Sequence, residues 1–213
     1  MKRLALVALL SLASLVRADD VINPDRPGIA DGSATIPRNW FQIEFGVERD
    51  DDVWSSPTLL RYGLTQSFEL RVETTGYDDG SLAPVSIGFK KHFSDEPSLG
   101  VIGRWFVDES SGDLRLAADV SLNDKWAINP NIGVAYEDSS TSGLAAMTVQ
   151  YNISDKLNVF VDGALQTPGN VIFDGGVAWI LGTRTQLDFS AGWGVNGDGV
   201  PDRFWSAGIS RAF

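Results

Sequence analysis

The sequence predicts an all-β fold, a transmembrane antiparallel up-and-down β-barrel of about twelve strands. Three observations carry that prediction. Segments with one apolar and one polar face recur along the chain, short turns alternate with longer acidic loops, and aromatic residues gather near the strand ends. Successive side chains of a strand point to opposite faces, so a period of two lets one face meet lipid while the other lines a lumen.

The first residues, Lys2 and Arg3, precede an apolar run over residues 4–16 and then Val16-Arg17-Ala18. This is the expected form of a secretory signal spanning residues 1–18, cut after Ala18. The run is too short to span a bilayer as a helix, and no later stretch reaches the length a spanning helix needs. Membrane insertion must therefore use strands. Losing Lys2, Arg3 and Arg17 makes the mature chain more acidic than the −11 of the whole sequence. Such a charge argues against nucleic acid as a partner. The chain has no cysteine, which excludes a disulfide framework and a lipid-modified N-terminal cysteine. Its 43 % apolar residues suit a globular domain as well as a barrel, so pattern has to decide.

The first strand sets Phe41, Ile43, Phe45 and Val47 against Gln42, Glu44, Gly46 and Glu48. The third sets Phe68, Leu70 and Val72 against Glu69, Arg71 and Glu73. The seventh sets Trp126, Ile128, Ile132, Val134 and Tyr136 against Asn129, Asn131, Gly133 and Glu137; the eleventh sets Leu187, Phe189, Ala191 and Trp193 against Gln186, Asp188 and Ser190. The final strand, residues 203–213, alternates Trp205, Ala207 and Ile209 with Ser206, Gly208 and Ser210 and finishes on Phe213. A terminal strand ending on an aromatic residue is expected to serve as the signal for the barrel-assembly machinery.

Short turns are expected at Thr65-Gln66-Ser67, Asp95-Glu96-Pro97, Asn123-Asp124-Lys125, Ser154-Asp155-Lys156 and Gly182-Thr183. Between them lie longer acidic connections around Asp50-Asp51-Asp52, Asp78-Asp79-Gly80, and residues 108–113, 137–142 and 195–202. Short periplasmic turns and long outer loops are the asymmetry of outer-membrane barrels. Two aromatic girdles are expected. Trp40, Phe41, Tyr62, Phe68, Phe93, Trp126, Tyr151, Trp179 and Phe213 lie toward the short turns; Tyr77, Trp105, Tyr136, Phe173, Trp193 and Trp205 lie toward the loops. The competing reading is a soluble periplasmic ligand-binding β-domain with its aromatics in a central core. Pro130 within the seventh strand, and Gly103, Gly163 and Gly175 on outward rows, favour it because they weaken a lipid-facing band.

Parity places Glu44, Glu48, Arg61, Glu69, Arg71, Glu73, Lys90, Arg104, Arg115, Asp119, Asp162, Asp174 and Asp188 on the inward rows. These charges are the candidates for a selective permeation path; the plainer reading is a mutually neutralising network that fills a narrow barrel. Inward Leu59, Ile102, Phe106, Leu144, Phe160 and Phe204 offer an apolar or aromatic solute a resting place, and lumen filling explains them equally well.

Residues 19–38 contain Pro24, Pro27, Pro37, Gly28 and Gly32, so they should be extended and irregular. They form a periplasmic N-terminal segment or a partial plug, with Asp25, Arg26, Pro27 and Gly28 as plug candidates and Arg26 pairing with a lumen carboxylate. The barrel then occupies residues 39–213. Asp25-Arg26-Pro27-Gly28, followed by Ile36-Pro37-Arg38-Asn39-Trp40-Phe41-Gln42-Ile43-Glu44, resembles the outer-membrane transporter family named for the meta-pathway of phenol degradation. The resemblance covers the mature chain. In that family a glycine usually stands where Asn39 stands here. Uptake of small aromatic or other apolar compounds is what the resemblance implies.

Catalytic chemistry is not expected. The only histidine, His92, falls at the short-turn end of the fourth strand, away from the outer half where a barrel hydrolase places its site. Without cysteine or a second histidine, no transition-metal site and no cofactor is expected. The Asn196-Gly197-Asp198-Gly199 loop with Asp202 is only an incomplete match to a calcium loop. The expected protein is a passive, non-enzymatic channel in the cell outer membrane whose partners are outer-membrane lipids and small solutes. Its alternatives are a closed structural or lipid-organising barrel and the soluble β-domain.

Overall fold

The computed structural model describes residues 21–78, 81–107, 109–196 and 200–213. The predicted signal, residues 1–18, lies outside them. Twelve strands close the barrel. They are β1 (Phe41–Asp50), β2 (Thr58–Thr65), β3 (Phe68–Thr74), β4 (Val85–Asp95), β5 (Ser98–Phe106), β6 (Ser111–Ser121), β7 (Trp126–Glu137), β8 (Ser140–Ser154), β9 (Leu157–Gln166), β10 (Asn170–Leu181), β11 (Thr185–Asn196) and β12 (Phe204–Ala212). Each pairs antiparallel with its neighbours in chain order. A short strand, Val53–Ser55, pairs antiparallel with the end of β1, and Tyr77–Asp78 with Ser81–Leu82 forms a ribbon in the β3–β4 connection.

The seam is β1 against β12, in register from Gln42↔Ala212 to Asp50↔Phe204. Phe213 completes it: its amide donates to the Phe41 carbonyl at 2.8 Å, and the Phe41 amide donates back at 3.3 Å. Closure gives each of the twelve barrel strands a partner on both sides, a condition that any sheet crossing a bilayer must meet.

Burial is inverted relative to a water-soluble protein. Glu44, Glu69 and Lys90 are 0 % exposed, whereas Ile132 is 64 % and Val161 61 % exposed. Ionised side chains are withdrawn from solvent only when they are paired, and a broad apolar exterior has to face something other than water. That distribution decides against the soluble domain. Its outward glycines have a local explanation. Gly103 and Gly163 are the cross-strand partners of Phe89 and Phe173, whose rings lie over them, 2.7 and 2.8 Å from where a Cβ would stand. The aromatic neighbour thus supplies the apolar surface that glycine lacks. Pro130 pairs with Met147 on one side, while on the other the bridged pairs pass from Ile128↔Val120 to Asn131↔Ala117. Its missing N–H coincides with that gap.

Girdle residues meet in pairs, Trp126 with Tyr151 at 4.8 Å and Trp105 with Tyr136 at 6.2 Å between ring centroids. Trp40 departs from its expected place. It is 5 % exposed and packs inside the mouth with Ile22, Ile36 and Ala212, its ring 3.5 Å from the Arg184 guanidinium carbon. The β7–β8 connection also differs from the expected long loop. It is a tight turn in which Asp138 and Ser139 take positive φ of 50° and 65°, the twist that suits a two-residue hairpin. Asp113, expected in an outer loop, lies within β6.

Candidate functional site: a lumen crossed by its own N-terminal segment

Residues 21–38 form no regular secondary structure and run inside the barrel. Both ends of the run are fixed at the short-turn mouth. The Ile22 amide donates to the Thr183 carbonyl at 2.7 Å, and the Asn39 amide donates to Gly63 at 2.7 Å. Asn39 has a φ of 65°, and asparagine is among the few residues besides glycine that tolerate that region. This accounts for asparagine standing where the family pattern has glycine.

An irregular segment in a narrow lumen must find partners for its backbone amides. The inward side chains supply them. Glu44 accepts from the Asp25 and Arg26 amides at 3.3 and 2.9 Å, and Asp162 from Ile29 at 2.7 Å. Asp119 accepts from the Ser33 amide at 3.0 Å, and Glu69 from Ile36 at 2.8 Å. Asn131 makes a two-way contact, accepting from the Asp31 amide at 3.0 Å and donating to its carbonyl at 2.9 Å. Four of the predicted lumen carboxylates therefore hold backbone.

The barrel's inward cations gather on one wall. On β2–β6, Arg61, Arg71, Lys90, Arg104 and Arg115 stand among the acids Glu69, Glu73, Asp113 and Asp119. Asp25 reaches into this wall, meeting Arg71 Nη1 at 2.6 Å, Lys90 Nζ at 2.8 Å and Arg61 Nη1 at 3.4 Å. Asp31 meets Arg71 at 3.2 Å and Arg115 at 3.4 Å. Burial alone would raise the pKa of Asp25, but Arg61, Lys90 and Arg71 outweigh it and hold the carboxyl well below the ordinary range. Burial likewise opposes ionisation of Asp31, and Arg71, helped by Arg104 and Lys90, brings its pKa below the usual value despite repulsion from Asp25. On the opposite wall Arg26 donates to Asp188 at 3.1 Å and to Ser206 at 2.7 Å.

The remaining predicted residues complete these networks. Arg61 is bonded to Glu44 and Glu69, while Glu73 joins Arg71 to Arg104. Asp174 is 5 % exposed and its Oδ1 has no hydrogen-bond partner. Pro27 and Gly28 cross the lumen, where a Cβ on Gly28 would stand 3.1 Å from Asp162 Oδ2. Strand-by-strand reading missed Asp31, Ser33 and Asp113. Asp113 accepts from Arg104 and Arg115 at 2.9 and 2.8 Å; its spacing of two from Arg115 was the available signal. His92 contacts the segment, its Nδ1 3.3 Å from the Ser33 carbonyl oxygen and its Nε2 2.9 Å from Asp95. Among the described residues no group of His, Cys, Asp and Glu is placed to hold a metal ion. Residues 197–199 of the calcium-like loop lie outside the described set.

Two cavities flank the crossing. One of about 470 Å³ opens at the short turns and is lined by Asn129, Gln150, Asn152 and Phe160 among others. The other, about 460 Å³, opens toward the loops and is lined by Glu48, Asp50, Arg104, Arg115, Phe106 and Phe204 among others. The residues common to both linings are Asp25, Arg26, Pro27 and Gly28.

A closed barrel with an apolar exterior and a charged, cavity-bearing interior is an outer-membrane β-barrel of the porin-like class. Its fold matches that of KdgM porin (TM-score 0.66, 8 % identity, 81 % of this chain and 99 % of that one). It also matches the COG4313 outer membrane channel from Pseudomonas putida F1 (0.65, 13 %, 90 % and 100 %) and NanC porin (0.60, 8 %, 80 % and 98 %). The chain belongs to the family described as "Putative MetA-pathway of phenol degradation", whose model matches residues 24–213 and so takes in the luminal segment as well as the barrel. No curated protein matches the chain.

Proposed function

We propose that the protein is a passive channel for small solutes across the outer membrane, in which residues 21–38 act as a partial plug. The observation that carries this reading is the pair of cavities, one at each mouth, separated by the Asp25–Gly28 crossing. Passage follows the solute gradient and uses no chemical step. Aromatic or apolar compounds are the favoured solutes, because Leu59, Phe106, Ile172 and Phe204 bring apolar surface to the outer cavity and such surface binds apolar bodies among a few polar contacts. Residues 1–18 direct export, and the strand ending at Phe213 is recognised by the barrel-assembly machinery.

A second reading, a closed barrel that organises lipid, is favoured by the ion pairs and amide contacts that fix the segment across the lumen. Refolded protein in a planar bilayer separates the two, followed by liposome swelling with neutral aromatic and aliphatic solutes. Discrete conductance steps with faster uptake of aromatics support the channel. Efficient insertion without current or swelling supports the closed barrel.

A further inference from the structure

The acidic wall carries more than the contact with Arg26. Strand register lays out two rows across it. In the upper row Asp174 (β10), Gly192 (β11), Phe204 (β12) and Asp50 (β1) are successive cross-strand partners. In the next row Ser190, Ser206 and Glu48 follow one another. Gly192 leaves room for the Phe204 ring, whose Cζ is 2.6 Å from the place a Cβ would take, while Asp174 Cβ is 2.5 Å from it. An aromatic face is thereby set between two carboxylates, with hydroxyls and a third carboxylate beneath. Asp174, Asp50, Glu48, Ser190 and Phe204 all line the outer cavity.

The charges of this cavity do not balance locally. Its cations are engaged: Arg26 with Asp188, Arg71 with Asp25, Arg104 with Glu73 and Arg115 with Asp31. Among the described residues no ion pair holds Glu48, Asp50 or Asp174, and Asp174 Oδ1 and Asp50 Oδ1 are buried without a hydrogen-bond partner, as is Oδ1 of Asp162, the cross-strand partner of Asp174. A buried carboxylate oxygen without a donor is costly; a proton shared between Asp162 and Asp174 relieves part of that cost, and a cation that reaches the wall relieves the rest.

The same wall already holds one organic cation, the guanidinium of Arg26. It lies over Gly46 and Gly208, which are cross-strand partners, at 2.6 and 2.5 Å from the positions their Cβ atoms would occupy. The wall is thus shaped to receive a flat cation against bare backbone with a carboxylate and a serine hydroxyl beside it. The Asp174–Phe204–Asp50 row repeats those elements toward the loops and adds a ring for cation–π contact.

We propose that this wall of the outer cavity is a binding site for a small organic cation, an ammonium or guanidinium carried on an apolar body. Its charged head sits between Asp174 and Asp50 against the Phe204 ring, with Glu48 below, and its body lies on Ile172 and Pro201. The proposal rests on the channel reading for its biological use, but binding itself requires no conduction.

The test is calorimetric titration of the refolded protein in detergent with phenylguanidinium, using benzoate and benzyl alcohol as controls of similar size and different charge. Saturable binding of phenylguanidinium alone is expected, weakened at least about tenfold in Asp174→Asn and in Glu48→Gln, as for loss of a buried charge partner. Heat-modifiable migration in gels confirms that each variant is folded, and the two variants lie on different strands so that failure of one leaves the other. Equal binding of all three probes, or undiminished binding in both variants, overturns the site. Binding without conductance leaves the site standing and defeats the channel; conductance without binding does the reverse.

Discussion

Asp25 and Arg26 are adjacent in the chain and grip opposite walls of the barrel. The Asp25 carboxylate lies 2.6 Å from Arg71 and 2.8 Å from Lys90, while the Arg26 guanidinium lies 3.1 Å from Asp188 across the lumen. One dipeptide therefore ties both walls to the segment that divides the cavities. Neither contact holds the segment alone.

Replacing Asp25 with asparagine removes the counter-charge from Lys90, which is 0 % exposed and has its ion pair with Asp25. Breaking a buried pair by removing one partner costs about 3–5 kcal/mol, which weakens the seating of the segment while the barrel persists. Asp25→Asn should raise single-channel conductance and open residues 21–38 to protease. Unchanged current together with unchanged cleavage would show that Asp25 does not hold the segment.

Acid should cancel the hold of Asp25 late. The Asp25 pKa is depressed from 3.8 by Arg61, Lys90 and Arg71 against the effect of burial, so its contribution to docking is fully present above 3.8 and is lost as pH falls through the depressed value. Glu44, Glu69, Asp119, Asp162 and Asp188 also hold the segment, so the share of Asp25 is read as the difference in conductance between the wild type and Asp25→Asn, which should persist until the ordinary carboxylate range has been passed. A difference lost above 3.8, with the segment still protected from protease, would contradict the assignment.

At Gly63 the wall meets the segment's backbone directly, because a Cβ there would strike the Pro37 carbonyl oxygen. Gly63→Ala should displace the stretch leading into Trp40. The expected signs are a red-shifted tryptophan emission and faster proteolysis near residue 37, with heat-modifiability of the barrel retained.

Ile132, midway along β7 and 64 % exposed, reports on the lipid face. Ile132→Arg should destabilise the bilayer-embedded protein by about 2–4 kcal/mol, measured by urea unfolding from liposomes. A neutral effect would mean that this row does not face lipid.

The double reversal Arg104→Glu with Arg115→Glu places acids beside Asp113, Glu73 and Asp31, the present partners of those arginines. The reversal potential in a salt gradient should move toward cation preference. An unmoved potential in a conducting variant would remove both positions from the path.

The period of two made the strands and their inward rows legible, because a one-residue slip would have turned Glu44 to lipid and Phe45 to the lumen. The same rule stopped where periodicity stops. Asp31 and Ser33 lie in a segment without regular structure, and their contacts depend on where a flexible chain is laid against Asn131, Asp119 and Arg71, which local pattern does not encode. Asp113 was assigned to a loop by the acidic run around it, although its parity with Arg115 pointed inward. The strand-end position of Trp40 points to a girdle; its place is decided by Ile22 and Ile36 returning to the same mouth. The glycine-for-aromatic exchange at Gly103 and Phe89 was invisible until register paired them.

Both ends of the luminal segment are fastened at one mouth, by Ile22 to Thr183 and by Asn39 to Gly63. The segment is thus a bight pushed in and led back out, not a thread passed through. It can leave in one piece without any strand of the barrel parting. Its way out is the mouth by which it entered.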